Sequence, residues 1–298
     1  MRQRLTAAII AIIAVTAGGF LYAILADGSG QDPVAGAQPA VEPDVVAQVT
    51  PIPVTDPTGT FSPEEQAAIN QMIGDYIANN PGFIRDYLMA NPQVIREAVT
   101  ELERRRIDEE AARQAEAIAL HSDLLLHSPR QAVIGNPDGD VTLVEFFDYN
   151  CTYCKRALDD MVRLIEEDPN LRIVLKEFPV LGAGSTEAAQ VATAVILVAP
   201  ELYSDFHNLL LGTAAQATFD LAISAAVEVG VDEAQLRAAM ESDEIIATIE
   251  ESYMLADALA LTGTPSYVLG NEVIVGAVGY DVLKGMIESV RTCGQTIC

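Results

Sequence analysis

The sequence predicts an α/β domain in which a β-α-β unit and a β-β-α unit are separated by an all-helical insertion. A small helical region and an apolar N-terminal segment precede it. Three observations carry this reading. An apolar run of strand length, Val141-Thr-Leu-Val-Glu-Phe-Phe, ends in Cys151-Thr-Tyr-Cys154 where a charged helical pattern begins. Two further apolar runs, Tyr267-Val-Leu and Glu272-Val-Ile-Val, are joined by Gly270-Asn271, a hairpin signal. Between them, from Ser185 to about Leu261, the pattern is helical throughout.

Taken in order, the chain opens with Arg2 and Arg4 ahead of an uncharged apolar stretch at residues 5–26. That length matches the roughly 20 residues a bilayer requires. The basic end is expected on the cytoplasmic side. A cleaved signal peptide has an apolar region of about 7–15 residues and a small-x-small site. Here Ile24-Leu25-Ala26 is bulky at the outer position, so residues 1–26 read as an uncleaved anchor. Residues 27–61, rich in Pro, Ala, Val, Gln and Gly without a sustained period, read as a flexible tether.

Helical punctuation begins at Ser62-Pro63-Glu64-Glu65, with Ser62 as N-cap and Glu65 closing a capping box. Asn80-Pro81 and Asn91-Pro92 repeat the cap-then-proline signal. An apolar stripe through Ile69, Ile73, Ile77, Ile95, Val99 and Leu102 marks residues 62–127 as amphipathic helices that need a cover, either the main domain or another chain. From residue 128 the main domain follows, to 298. Its expected elements are a short strand near Gln131, a strand at Val141, a helix from Thr152, a strand at Leu171 after Asp168-Pro-Asn170, the helical insertion at about 180–262, the hairpin, and a helix from Tyr280.

The chemistry-bearing feature is the C-x-x-C at a strand-to-helix turn, a context that separates a redox dithiol from a metal knuckle. Cys151 sits where the next helix has unpaired N–H groups, which favour a thiolate. An unperturbed thiol of pKa near 8.5 is only about 3% thiolate at pH 7, whereas such motifs lower it to roughly 3.5–7.5. Cys151 is therefore the expected nucleophile and Cys154 the resolving thiol. Lys155 and Arg156 add positive charge in the first turn, and Asp148 opposes them. Glu145 is a carboxylate inside an apolar strand, where an unpaired charge is costly. Either the strand leaves it in solvent, or it handles protons beneath the cysteines. Cys293 and Cys298 complete an even count of four, and a disulfide across so short a loop contributes about 2 kcal/mol at best.

The segment Glu145-Phe-Phe-Asp-Tyr-Asn-Cys-Thr-Tyr-Cys-Lys-Arg-Ala resembles the active-site segment of DsbA-like thiol:disulfide oxidoreductases, thioredoxin-fold proteins of the bacterial envelope. The likeness extends through Lys176-Glu-Phe-Pro-Val-Leu-Gly and Gly263-Thr-Pro-Ser, over roughly residues 128–292. The resemblance implies a thioredoxin-like fold with the helical insertion, a cis bond before Pro265 opposite the dithiol, and a Thr264 main chain offered to substrate. It also implies that Thr152 and Tyr153 face substrate, although strongly oxidising members often carry Pro-His there, and that Lys176 faces Glu145. The helices of residues 62–127 resemble the region that precedes the catalytic domain in ScsC-like relatives, where it mediates oligomerisation. Expected partners are exported proteins with cysteines, a membrane redox partner and further copies of the chain. The expected location is the periplasm, held to the inner membrane by residues 5–26.

Composition narrows the alternatives. Seventeen basic against 43 acidic residues give a net charge of −26, which opposes binding to a phosphate backbone. His207, remote in sequence from His121 and His127, reads as structural. Dithiol exchange calls for no cofactor and no metal. A structural zinc site using all four cysteines, and a tethered module that keeps the fold without turnover, are the competing readings. Oxidase, reductase and isomerase roles all fit the sequence.

Overall fold

The computed structural model describes residues 59–298, and the chain divides into two compact units at Pro81/Gly82. The predicted anchor at residues 5–26 and nearly all of the predicted tether lie outside the described residues. Among the described residues no helix is long and apolar enough to cross a membrane.

In the described part of the first unit, helix α1 (Pro63–Asn79) starts at the predicted capping box. The Glu65 amide donates to Ser62 Oγ at 3.3 Å and the Ser62 amide donates to Glu65 Oε2 at 2.8 Å. Met72, Ile73, Tyr76 and Ile77 are exposed on it.

The second unit carries α2 (Pro81–Ala90) from its second residue onward, then α3 (Pro92–Leu120) and α4 (Ser122–Leu126) ahead of the sheet. The middle of α3 is solvated and held by pairs such as Arg104 with Glu101 and Asp108. Its last turns behave differently. Ile118 and, from α4, Leu125 enter the core, and Gln114 Nε2 donates to the Leu259 carbonyl at 3.0 Å. The sheet domain thus begins to be built before residue 128, the boundary expected from sequence. The physical reason is that the second face of the sheet needs an apolar cover.

That sheet has five strands in the order β1-β3-β2-β4-β5, formed by β1 (Ala132–Gly135), β2 (Val141–Phe147), β3 (Leu171–Glu177), β4 (Ser266–Leu269) and β5 (Glu272–Val275). Strands β2 and β3 are parallel, and the other pairings are antiparallel. Central β2 is buried on both faces, so its side chains alternate between two cores. Leu143 and Phe147 join Ile173, Leu175 and Leu269 in one core, with α5 (Thr152–Glu167) and α11 (Tyr280–Cys293). Val144 and Phe146 join Val174, Val268, Leu255 and Leu259 in the other.

The insertion comprises α6 (Ala183–Val198), α7 (Tyr203–Gly212), α8 (Phe219–Glu228), α9 (Glu233–Ala239) and α10 (Asp243–Ala258). The apolar run at residues 191–198 lies in α6, whose Ala188, Val191, Ala192 and Val195 are fully buried. At the other end of the chain Arg291 of α11 pairs with Asp140 and Asp168. This places α11's last turn, with the disulfide formed between Cys293 and Cys298, at the start of β2.

Candidate active site

The dithiol lies at the opposite end of β2. There the chain leaves the strand through Asp148, Tyr149 and Asn150 and enters α5 with Cys151 as its N-cap residue. The loop is fixed by side chains that replace missing backbone partners. Asp148 Oδ2 accepts from the Val180 and Leu181 amides at 2.8 and 2.9 Å, and its Oδ1 accepts from the Asn150 amide at 2.7 Å. Asn150 reaches into the insertion, donating to Ser185 Oγ and the Ala217 carbonyl and accepting from the Ala217 amide.

Both cysteines are free thiols in unequal surroundings. Cys151 keeps 5% exposure and Cys154 none. The Cys151 thiol is pulled down to about 5, first by a hydrogen bond from Cys154, then by Thr264 and by the amides at the start of α5, against the opposing effect of burial. Cys154 is pushed far up by burial, by its bond to Cys151 and by the nearby Glu145. The Thr264–Pro265 bond is cis. The Thr264 carbonyl accepts from Cys151 Sγ at 3.1 Å, so the expected substrate-facing main chain adjoins the outer sulfur. Thr152 is exposed, as is Tyr153, whose ring stacks under Arg156 with the guanidinium carbon 4.6 Å from its centre. Lys155 is no free surface charge, because its Nζ donates to the Thr213 and Ala215 carbonyls at 2.8 Å each.

Glu145 is buried, 3% exposed, on the face of β2 that α5 covers. Burial pushes its carboxyl up to about 8, partly offset by Tyr267, its cross-strand neighbour on β4. The Tyr267 hydroxyl makes no hydrogen bond of standard geometry among the described residues. The edge-strand reading of Glu145 is therefore excluded, since β2 is flanked on both sides.

Lys176 corrects the expectation that it faces Glu145. Glu145 is level with Leu175, and Lys176 is level with Phe146, so the two charged side chains leave opposite faces of the sheet. Lys176 Nζ instead donates to Glu251 Oε1 of α10 at 3.1 Å and to the Leu124 carbonyl at 2.6 Å. It is 2% exposed and lies outside the dithiol site.

Tyr149, Glu177 and Tyr203, buried near the site beside His207, escaped the sequence reading. Tyr203 Oη donates to Glu177 Oε1 at 2.9 Å, and Tyr149 Oη lies 3.4 Å from that oxygen and 3.3 Å from His207 Nδ1. Burial raises Glu177 well above the carboxylate range and lowers His207 to about 3. The signal for Glu177 was the one used for Glu145, a carboxylate in an apolar strand. Cys293 and Cys298 are bonded to each other and lie a strand length, roughly 20 Å, from Cys151. Four thiolates therefore do not converge on one zinc ion.

Comparisons with known proteins agree with this geometry. The family model "DSBA-like thioredoxin domain" matches residues 142–288, and "Copper resistance protein ScsC N-terminal domain" matches residues 82–109. The chain is 25% identical over 168 residues to disulfide bond formation protein D of Bacillus subtilis, covering 53% of this chain and 76% of that one. A thioredoxin-like oxidoreductase from Silicibacter pomeroyi is 41% identical, with TM-score 0.55, covering 57% of this chain and 98% of that one. A periplasmic thioredoxin-like protein from Salmonella enterica serovar Typhimurium is 28% identical, with TM-score 0.53, covering 57% and 95%. With a strand-to-helix dithiol against a cis-proline loop, and this degree of likeness over the same residues, the chain belongs to the DsbA-like thiol:disulfide oxidoreductases of the thioredoxin fold.

Proposed function

We propose that this enzyme exchanges disulfides with exported proteins in the bacterial periplasm, with Cys151 attacking and Cys154 resolving. The observation that carries the assignment is the asymmetry of the two sulfurs. At neutral pH Cys151 is almost wholly thiolate, keeps a small exposed area and adjoins the Thr264 main chain, whereas Cys154 is sealed and protonated. A thiolate at Cys151 attacks a substrate disulfide, a mixed disulfide forms, and Cys154 then displaces the substrate thiol. Stabilising the thiolate stabilises the reduced dithiol and makes the disulfide a stronger oxidant. A pKa of about 5 lies between the approximate values of 7 for thioredoxin and 3.5 for DsbA. The reduction potential should accordingly fall between their roughly −270 and −120 mV. Equilibration with glutathione tests this, and a value at or below that of thioredoxin would refute an oxidising role.

An isomerase reading is favoured by one further observation. Ile95, Val99 and Leu102 lie on one side of α3 and are 47%, 52% and 64% exposed, in the segment that matches the ScsC N-terminal domain. A second copy of the chain covers such a face and brings two dithiols to one substrate, raising the effective concentration for a second exchange. Light scattering of residues 59–298 should report an oligomer that Val99→Glu with Leu102→Glu dissociates. A monomer in both cases would refute it. Residues 5–26 are read as the inner-membrane anchor, placing the site where a membrane redox partner reaches it. Extraction of the full chain from membranes by alkali alone would overturn that part.

A further inference from the structure

Resolution by Cys154 releases a proton in a place water does not reach from the front. Cys154 has no exposure, Glu145 lies beneath it, and a substrate bonded to Cys151 covers the Thr264–Pro265 side. Behind Glu145, between α5 and α7, is a cavity of about 110 Å³. Its polar lining is Glu145 and His207 at the buried end, with Ser204, Asn208 and the exposed Glu166 toward solvent. One water needs roughly 10–15 Å³ of such space and two to four polar partners, so the cavity has room for a short file of them along its polar side. We infer that this cavity is the path by which Glu145 exchanges protons with solvent while a substrate occupies Cys151.

The path rests on the reading that Cys151 attacks and Cys154 resolves. Glu145, held at about 8, must first lose its own proton along the cavity; the carboxylate so formed takes the proton of Cys154, whose sulfur attacks Cys151 Sγ. The Cys151–substrate S–S bond breaks, the Cys151–Cys154 bond forms, and the electron pair leaves on the substrate thiolate. The substrate is reduced, the dithiol is oxidised, and the proton on Glu145 leaves along the cavity. In the opposite direction, a substrate thiolate attacks Cys151 and Glu145 protonates the departing Cys154. The groups facing Glu145 are Cys151 and Cys154, Tyr267 from β4, and, across the cavity, His207 from α7 and Glu166 from α5. His207 is neutral across the working pH range, so it lines the path without adding a charge to it.

The test separates the path from the reading beneath it. A mixed disulfide between Cys151 and an aromatic thiol is formed by reaction with the symmetrical aryl disulfide, and the second aromatic thiolate released reports attack by Cys154. Asn208→Leu places an apolar side chain at the outer end of the cavity. It should slow the second release about tenfold and raise its solvent deuterium isotope effect, short of the ~10²–10⁴-fold worth of a general base. The first release, which reports Cys151, should stay within twofold of wild type. If Asn208→Leu does not fold, Ser204→Val blocks the cavity one turn earlier on the same helix. A wild-type second release in the plugged variant, with Glu145→Gln slow, overturns the path alone. Equal slowing of both releases overturns it too, as general damage to the site. If Glu145→Gln itself releases at the wild-type rate, the role of Glu145 falls and the path falls with it.

Discussion

Replacing Glu145 by Gln should make the protein's stability less sensitive to pH, by an amount the structure sets. In the folded chain the carboxyl is pushed from 4.5 to about 8, chiefly by burial. Each pKa unit is worth about 1.4 kcal/mol, so at alkaline pH the buried carboxylate costs the fold about 5 kcal/mol. The sign follows from which state holds the proton more tightly. Below pH 4.5 both states are protonated and Glu145 costs nothing. Between pH 4.5 and 8 the folded state keeps the proton that the unfolded state has lost, so stability falls as pH rises. About 3 kcal/mol of this has accrued by pH 7. Gln cannot ionise, so its own packing and hydrogen-bonding penalty is constant with pH and cancels from the trend. The assay is urea unfolding of the oxidised wild type and variant at pH 4.5, 7 and 9. Oxidation removes the contribution of the Cys151 thiolate and leaves burial, the largest cause, in place. The stability difference should shift toward the variant by several kcal/mol across the series. A difference constant to within about 1 kcal/mol would mean that Glu145 is solvated or permanently paired, and the proton-handling argument would fail with it.

Other outcomes follow from the same geometry. Alkylation of the reduced protein should label Cys151 at a rate that rises through about pH 5, with Cys154 unlabelled; prior labelling of Cys154 in a peptide map would reverse their roles. Cys154→Ala should accumulate mixed disulfides on Cys151, visible as thiol-labile adducts on gels. Lys176→Met leaves Glu251 buried beside Arg130 alone and should cost about 3–5 kcal/mol, without moving the Cys151 titration; a shifted titration would place Lys176 back in the site. Cys293→Ser with Cys298→Ser should lower stability by about 2 kcal/mol or less and leave exchange rates intact, since that disulfide lies at the far end of β2. Loss of most turnover would indicate electron transfer through the tail.

The sequence by itself determined the elements whose signals are local. The Ser62 capping box, the start of α5 immediately after Cys151, the Gly270-Asn271 hairpin and the buried character of α6 each follow from side chains within a few residues of one another. Hydrophobic period and turn chemistry are properties of such short windows, and the C-x-x-C at a strand-to-helix turn is another. Only the tertiary structure decided which distant groups meet. Glu145 and Lys176 are both charged residues in apolar strands, yet strand register sends them to opposite faces, and the partner of Lys176 is Glu251, 75 residues away. The insertion likewise supplies Ala217 to hold Asn150, Thr213 and Ala215 to hold Lys155, and Tyr203 and His207 beside Tyr149. By sequence the end of α3 groups with residues 62–127 rather than with the sheet domain, because a helical pattern does not show that Ile118 meets the open face of a sheet. The physical reason is common to all of these. A buried polar or charged group must find a partner once water is removed, and that partner is chosen by the packing of whole elements.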